Sequence, residues 1–352
     1  MRSIKYALTA AAVGAAASMI AGAALAHEPG EQFNRHGNIL IADQFNNRVI
    51  EVNPAGEIVW HFGVGPGDIS PRSAVGTNDA LRFGSKTLIS GTGVPPGLEP
   101  KCPTGCADNR VFIVGPNGDI LWQYGRFGVT GSGPDQLNTP VQATWTGNHT
   151  VLITDQANMR IIEVDLKKHI LWQYGTTGVS GSGPDQLNNP NSVELLDNGH
   201  YLIADQNNNR AIEVRRDKTI VATFTIGGTA NGMAFASRLR NGNTLLTDSN
   251  NNRVVEVNPS DQAVWSYATN TQPGSNPNPL PTRAIRLKNG ETIISDQFNH
   301  RVIVVNASGT LLTQYGTLNM AGFNRDSGLR RLNAPYDAKV LGEDTGLTWT
   351  GR

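Results

Sequence analysis

One short motif recurs along the chain and limits the folds that the chain can adopt. Its first copy runs from Asp43 to Val52 and reads DQFNNRVIEV. Further copies lie at 155–164, 205–214, 248–257 and 296–305, with a shortened copy at 108–114. Six copies, 43 to 62 residues apart, predict a radial or stacked repeat fold in which each unit buries its apolar faces against its neighbours. The motif arginine recurs at Arg48, Arg110, Arg160, Arg210, Arg253 and Arg301.

The sequence around each motif predicts four short β-strands. Apolar, β-branched runs are separated by Gly, Asn and Pro at even spacing, which is typical of an all-β chain. The third repeat shows the pattern most clearly, with strands expected at 140–145, 150–154, 160–164 and 169–174. Four antiparallel strands per repeat form the blade of a β-propeller, so six repeats predict a six-bladed β-propeller.

The two ends of the chain predict how the ring closes. The first repeat begins at Gly37 with a second strand and has no first strand before it. The segment Leu332–Ala338 resembles 137–140 and 187–190, where first strands are expected to begin. The C-terminal strand is therefore expected to complete the N-terminal blade, which removes the free edge of the ring. We expect residues 27–352 to form one domain.

The N-terminus predicts export. Arg2 and Lys5 precede an apolar, Ala-rich run, and small residues stand at Ala24 and Ala26, so residues 1–26 read as a signal peptide. The expected location is periplasmic or secreted. Removing this segment leaves 27 basic and 29 acidic residues, a balance that gives no electrostatic case for binding nucleic acid. No later stretch is apolar enough to span a membrane.

The only two cysteines, Cys102 and Cys106, are four positions apart. In an oxidising compartment this spacing indicates a local disulfide that fixes a loop. Metal binding by the two thiolates is the alternative, but no His or Met ligand stands next to the pair. We therefore predict a disulfide and no metal at this place.

The motif resembles a known family. The pattern Asp-x-x-Asn-x-Arg, followed by Val/Ile-Ile-Glu-Val and an apolar-Trp-x-Tyr-Gly strand, is similar to the NHL-repeat family of six-bladed propellers over residues 37–341. More distantly, it resembles gluconolactonases, strictosidine-synthase-like proteins and arylsulfotransferases. The resemblance implies the propeller fold and leaves activity open, because these proteins include scaffolds, binding modules, lyases and hydrolases.

The motif itself is expected to hold the blades together, because a site needs a few unlike groups in one place. The face that carries the motif turns is where we expect function, at the mouth of the central channel. In the second repeat an insertion from Gly91 to Cys106 replaces the motif turn. It is expected to overhang the mouth, either as a lid or specificity wall or as a tolerated surface loop.

The first strands are expected to line the channel, and their polar residues differ between repeats. Glu194, Asp337 and Arg283 are the catalytic candidates. Their convergence on one position is what an enzyme would require. No histidine stands in these strands, which argues against lyase and sulfotransferase mechanisms that use a channel histidine. The candidates for ligand binding are Arg72, Gln142, Asn191, Asn231, Tyr336 and Lys339.

The sequence thus predicts a binding module that takes an unknown small molecule or protein at the channel mouth. The alternative is a lactonase-like hydrolase or lyase acting at Glu194, Asn191, Arg283 and Asp337. No cofactor is predicted for the binding module. A calcium ion is considered only for the lactonase-like enzyme. We expect a monomer without a membrane span.

Overall fold

The computed structural model describes residues 30–325 and 329–343, and the predicted signal peptide lies outside these ranges. The described residues form six sheets of four antiparallel strands, a six-bladed β-propeller as the sequence predicts. These residues contain no helix with the length and apolarity of a membrane span. The strands predicted in the third repeat are confirmed to within one residue at each end.

The strands are numbered in chain order, and the blades follow the repeats. Blade one contains β1 (Ile39–Asp43), β2 (Arg48–Val52), β3 (Ile58–Phe62) and β24 (Pro335–Val340). Blade two contains β4 (Thr77–Phe83), β5 (Lys86–Val94), β6 (Cys106–Val114) and β7 (Ile120–Gly125). Blade three contains β8 (Pro140–Trp145), β9 (Thr150–Asp155), β10 (Arg160–Asp165) and β11 (Ile170–Tyr174).

The remaining blades have the same order. Blade four contains β12 (Pro190–Leu195), β13 (Tyr201–Asp205), β14 (Arg210–Val214) and β15 (Ile220–Phe224). Blade five contains β16 (Met233–Arg238), β17 (Thr244–Asp248), β18 (Arg253–Val257) and β19 (Ala263–Ala268). Blade six contains β20 (Arg283–Arg286), β21 (Thr292–Asp296), β22 (Arg301–Val305) and β23 (Leu311–Gly316).

The expected closure of the ring is confirmed in blade one. The C-terminal strand β24 pairs with β1, with Ile41 opposite Ala338. Outside the strands, Gly37 N donates to the Leu341 carbonyl at 2.9 Å. The first strands of the blades, β24, β4, β8, β12, β16 and β20, lie next to one another around the channel.

Each motif turn is a short 3-10 turn that holds its own blade together. In blade one, Asp43 at the end of β1 accepts hydrogen bonds from Asn46 and from Arg48 at the start of β2, both at 2.8 Å. It also accepts one from the backbone of Asn333, which leads into β24. An ion pair between the motif aspartate and the motif arginine recurs in every blade, so the motif has the structural role expected of it. The turns span Gln44–Asn46, Gln156–Asn158, Gln206–Asn208, Ser249–Asn251 and Gln297–Asn299.

The residue after each turn links neighbouring blades. It has positive φ, which asparagine tolerates well, and its side chain accepts a hydrogen bond from the backbone before the next first strand. Asn47 accepts from Gly76 N at 2.9 Å, for example. In blade three the acceptor is the Met159 sulfur, and in blade six it is His300 Nδ1. The six links join Asn47 to Gly76, Asn109 to Thr139, Met159 to Asn189, Asn209 to Gly232, Asn252 to Leu280 and His300 to Ala334.

The tryptophans of the fourth strands link blades at the outer side. Trp60 is fully buried, and its indole N–H donates to the Pro116 carbonyl of blade two at 2.7 Å. Trp172 makes the same bond to Arg216 of blade four at 2.8 Å. These contacts combine apolar burial with a satisfied polar group. The tryptophans of blades one and three are packing anchors between neighbouring blades.

Candidate functional site at the mouth of the channel

In blades one to four, the third residue of the first strand bridges to the next blade. Asp79 Oδ2 accepts from Ala143 N at 3.2 Å, and Gln142 Oε1 accepts from Val193 N at 2.6 Å. Asp337 accepts from Ala80 N at 3.3 Å in the same way. Gln142 therefore lies in the channel wall as predicted, with its amide oxygen engaged in blade-to-blade bonding.

Arg283 is the first residue of β20, and it pairs with Ser295 of blade six as Gln142 pairs with Thr154 of blade three, but its side chain points across the channel. Its guanidinium donates to Asn191 Oδ1 at 2.9 Å and to the Ala234 carbonyl at 3.2 Å. It reaches the Val141 carbonyl of blade three at 3.4 Å. The Phe235 and Tyr336 rings lie against its planar face, 5.0 and 5.1 Å away. With 1% of its surface exposed, Arg283 fills the channel below the mouth and joins four blades.

A ring of uncharged side chains lies above Arg283. It is formed by the residue that follows the motif aspartate, which is Gln44, Gln156, Gln206, Ser249 or Gln297 in the five blades that have a 3-10 turn. We call these residues the amide ring. Gln297 Nε2 donates to Gln44 Oε1 at 2.8 Å.

The amide ring is connected to the first strands beneath it. Gln44 donates to Asn78 Oδ1 at 2.9 Å. Asn191 donates to Gln206 Oε1 at 2.7 Å and to the Tyr336 hydroxyl at 2.9 Å. The structure thus brings the predicted residues Asn191, Arg283 and Tyr336 together. Within the described ranges no hydrogen bond engages Gln206 Nε2 or Gln297 Oε1, and both atoms reach the solvent.

Lys339 forms a separate buried cluster with two carboxylates. Its ammonium contacts Asp79 Oδ1 at 2.8 Å and Asp337 Oδ2, and it donates to the Ala80 carbonyl at 3.0 Å. Burial raises the pKa of Asp337 to about 6, although Lys339 opposes the shift. Burial alone would lower the pKa of Lys339, but Asp337 and Asp79 outweigh it and raise that pKa. Asp79 is a channel residue that is not among the candidates from sequence, because β4 begins at Thr77, six residues after Pro71.

Glu194 lies apart from both clusters. It is 1% exposed, and its Oε2 accepts from Arg238 N at 2.8 Å. Burial raises the pKa of Glu194 to about 8, so its carboxyl is neutral near pH 7. Glu194 stands in blade four and Asp337 in blade one, opposite each other in the ring, so they do not converge on one position. Over residues 30–325 and 329–343, no group of three or more His, Cys, Asp and Glu side chains is arranged to hold a metal ion.

Two predicted site residues lie outside the channel wall. Arg72 is exposed in the connection that precedes β4, because Pro71 is not the first residue of a strand as Pro140 and Pro190 are. Asn231 is exposed before β16, and its backbone N–H donates to Asp248 at 2.7 Å. It therefore closes the motif turn of blade five instead of lining the channel.

The insertion of blade two forms a longer hairpin on the mouth side. Strands β5 and β6 continue past the usual turn, and the predicted disulfide between Cys102 and Cys106 is present at its end. Glu99 is 5% exposed and accepts from Gly67 N at 3.0 Å, while Lys101 donates to the Gly67 carbonyl at 2.6 Å. The insertion is thus attached to the connection between blades one and two.

Sequence profiles of known families and curated protein sequences give no match to this chain. Several solved structures share its fold. A protein of unknown function from Bacteroides caccae has 14% identity and a TM-score of 0.59, covering 86% of this chain and 98% of that one. A streptogramin B lyase has 14% identity and a TM-score of 0.53, covering 81% and 80%.

Virginiamycin B lyase from Staphylococcus aureus gives the same identity and TM-score, 14% and 0.53, covering 82% of this chain and 83% of that one. At this identity the likeness shows the fold alone. The chain is a six-bladed propeller whose channel is filled by Arg283 below a ring of uncharged polar groups.

Proposed function

We propose that this protein is an extracytoplasmic propeller of the NHL-repeat type that binds a ligand at the channel mouth through the amide ring. The observation that carries the proposal is a preorganised set of carboxamides with unused hydrogen-bonding atoms. Gln44 is held by a bond to Asn78, and Gln206 is held by a bond from Asn191, which also bonds to the Tyr336 hydroxyl. Few, fixed polar groups in a concave place are what a binding site needs. The Cys102–Cys106 disulfide supports an oxidising compartment.

A screen that makes no assumption about the ligand tests this proposal. The chain without residues 1–26 would be exposed to neutral, anionic and cationic small molecules and to short peptides, and the side-chain amide NMR signals recorded. We expect binders to shift the signals of Gln44, Gln206 and Gln297, and Gln206→Ala to weaken binding about tenfold, because it removes a polar contact.

Gln262→Ala is the matched control, since Gln262 is an exposed glutamine before β19 and away from the channel. It should leave binding unchanged. Binders that perturb only the rim, or that bind equally well to Gln206→Ala, would overturn the proposal.

The lactonase-like alternative has weaker support. Two structures with this fold are lyases, but at 14% identity they support only the fold. The catalytic candidates are divided among separate groups, with Glu194 next to Arg238, Asp337 next to Lys339, and Arg283 next to Asn191. A general acid or base needs its partner groups within hydrogen-bond reach of one reacting atom. We therefore favour binding.

A further inference from the structure

Lys339 differs from the other lysines of the propeller in being buried. It is the only buried lysine in residues 30–325 and 329–343. Its side chain is 4% exposed, and the side chains of Asp79 and Asp337 are 1% and 0% exposed. Lys339 Nζ lies 2.8 Å from Asp79 Oδ1 and also contacts Asp337 Oδ2. A primary amine is thus held against two carboxyl groups away from solvent.

The three residues of this cluster belong to two blades and to distant parts of the chain. Asp337 and Lys339 stand in β24, which closes blade one, whereas Asp79 stands in β4 of blade two. Lys339 and Asp79 are 260 positions apart in the sequence. Their contact depends on the finished fold, so any reaction between them follows closure of the ring.

The two oxygens of the Asp79 carboxyl group have different surroundings. Oδ1 lies next to Lys339, whereas Oδ2 accepts a hydrogen bond from Ala143 N at 3.2 Å. A backbone N–H in that position stabilises the negative charge that develops on an oxygen when a nucleophile adds to the carboxyl carbon. The geometry therefore makes Oδ2 the oxygen that stays and Oδ1 the oxygen that leaves.

Asp337 is placed to carry the protons of such a reaction. Its Oδ2 contacts Lys339 and accepts from Ala80 N at 3.3 Å, and among the described residues its Oδ1 has no hydrogen-bond partner. Burial raises the pKa of Asp337 to about 6, so it holds a proton more readily than an exposed aspartate. The resting form of Lys339 is the ammonium, because its two carboxylate neighbours outweigh burial and raise its pKa. Transfer of one proton from Lys339 to Asp337 gives a neutral amine and a neutral acid, and the number of protons in the cluster does not change.

We propose that Lys339 and Asp79 form an isopeptide bond that links blade one to blade two. The neutral amine of Lys339 adds to Asp79 Cγ while Asp337 gives its proton to Oδ1. The bond between Cγ and Oδ1 then breaks, and Asp337 passes a second proton from the nitrogen to the leaving oxygen. Of the three hydrogens on the ammonium, one stays on the amide and two leave in a water molecule. Asp337 ends as the carboxylate that it was at the start.

Two properties of the site favour the amide. Groups held in reacting geometry have an effective concentration of about 10⁵ to 10⁸ M, which opposes hydrolysis of the bond by water. The nitrogen of the amide keeps one hydrogen, and the Ala80 carbonyl, which accepts from Lys339 Nζ at 3.0 Å, can bind it. The bond fastens the strand that closes the ring to the next blade.

Mass spectrometry of the full chain tests the inference. The purified protein is reduced, denatured and digested with trypsin, and its intact mass is measured in parallel. We expect the chain to be lighter by one water molecule. Trypsin should fail to cleave after Lys339, and peptide 73–82, which contains Asp79, should appear joined to peptide 332–352. A link from Lys339 to Asp337 would stay within 332–352 and would contradict the assignment.

The pair formed by Lys168 and Asp135 is the internal control. Lys168 Nζ lies 3.0 and 2.9 Å from the two Asp135 oxygens, so the contact is as close, but the two side chains are 34% and 21% exposed. We expect trypsin to cleave after Lys168 in the same sample. A link at this exposed pair as well would show that proximity or handling produces the amide, and the inference would fail.

Two variants separate the roles of the residues. Lys339→Arg keeps the positive charge but cannot form the amide, so its peptides should appear unlinked. Asp337→Ala keeps the amine and Asp79 but removes the proton carrier, so the link should form about a hundredfold more slowly. A circular dichroism melt establishes that each variant is folded. Linking of Asp337→Ala at the rate of the unchanged chain would show that the assigned mechanism is wrong.

The measurement on the unchanged chain decides the inference whether or not the variants fold. The protein is kept folded at neutral pH for a prolonged period before it is denatured and digested. Complete cleavage after Lys339, with peptide 73–82 found alone, would overturn the proposal.

Discussion

At the scale of single residues, one histidine occupies a position where the other blades have asparagine or methionine. His300 Nδ1 accepts from Ala334 N at 3.1 Å and so links blade six to β24 of blade one. Burial lowers the pKa of His300 below its ordinary 6.5. As pH falls below that value, the unfolded chain takes up a proton that folded His300 resists, so the free energy of unfolding falls. Protonation of Nδ1 also removes the acceptor of this bond.

His300→Asn is therefore expected to reduce the loss of stability in acid. Asparagine tolerates the positive φ of 55° at this position and supplies a neutral acceptor, as Asn252 does in blade five. Urea unfolding at pH 5 and pH 8 measures the effect, and the variant should lose about 1 kcal/mol less between the two. The reciprocal change Asn252→His should add acid sensitivity. An unchanged pH dependence in both variants would contradict this account.

Glu194 is expected to make the protein less stable as pH rises, whereas His300 makes it less stable as pH falls. Because burial raises the pKa of Glu194 to about 8 from 4.5, the folded carboxyl keeps its proton over a range where the unfolded one loses it. Stability therefore falls as pH rises from 4.5 to 8, by up to about 1.4 kcal/mol per pH unit. Glu194→Gln should abolish this term and raise the midpoint of unfolding at pH 8 but not at pH 4. A variant that is less stable at pH 8 would show that the ionised carboxylate is needed.

The residues of the site were only partly predictable from sequence. Asn191, Arg283 and Tyr336 could be found because they are unlike residues in strands that repeat reasoning places at the channel. Gln44 and its equivalents were assigned with their motif to a structural role. A repeat shows which positions recur, but it does not show that the side chain after the motif aspartate bonds to the first strands, as Gln44 does to Asn78. The signal was present as a glutamine after the motif aspartate in four copies.

At the scale of the element, the motif ion pairs differ in burial from blade to blade. Arg301 has a side-chain exposure of 0%, whereas Arg253 has 31%. Removing one partner of a buried pair leaves an uncompensated charge. We expect Arg301→Met to lower the free energy of unfolding by about 3 to 5 kcal/mol, and Arg253→Met by about 1 kcal/mol, because water can replace the more exposed side chain. Equal losses in a chemical denaturation experiment would show that burial does not set the cost.

The insertion of blade two is a local element, and its disulfide is expected to act locally. Cys102 and Cys106 are separated by only four positions, so the loop that they close is short. Replacing both with serine should cost about 2 kcal/mol or less. Hydrogen exchange should become faster at Gly67 and in 95–105, where Glu99 attaches the insertion, and should stay unchanged in blade four. Faster exchange throughout the propeller would contradict a local role.

At the scale of the whole molecule, the fold was predictable because its information is repeated. Each copy of the motif predicts the same turn, so the strands of an irregular repeat can be assigned by comparison with the other repeats. Blade two has the least regular copy, and the misplacement of Arg72 occurred there, since Pro71 resembles the strand-opening Pro140 and Pro190. Positions that depend on a single blade, such as Asp79, had no second copy to correct them.

Closure of the ring gives the last prediction. Strand β24 fills one edge of blade one and carries Tyr336, Asp337 and Lys339 into the channel. Removing 329–352 exposes the edge of β1, and it leaves Asp79 and Arg283 without their contacts to Lys339 and Tyr336. Both losses are expected to destabilise the whole ring, because each blade is stabilised only by packing against its neighbours. We expect the shortened chain to lose its folding transition or to aggregate.

A circular permutant provides the control for this experiment. Gly37 and Leu341 are joined by a backbone hydrogen bond of 2.9 Å, so a short linker can connect residues 343 and 30 without crossing the ring. New termini in the exposed connection at 271–274 leave every strand intact. The permutant keeps β24. If the shortened chain fails to fold because it lacks β24, the permutant should melt within a few degrees of the natural chain, which corresponds to about 1 kcal/mol in the free energy of unfolding. A shortened chain that unfolds cooperatively at the natural temperature would show that the ring does not need β24.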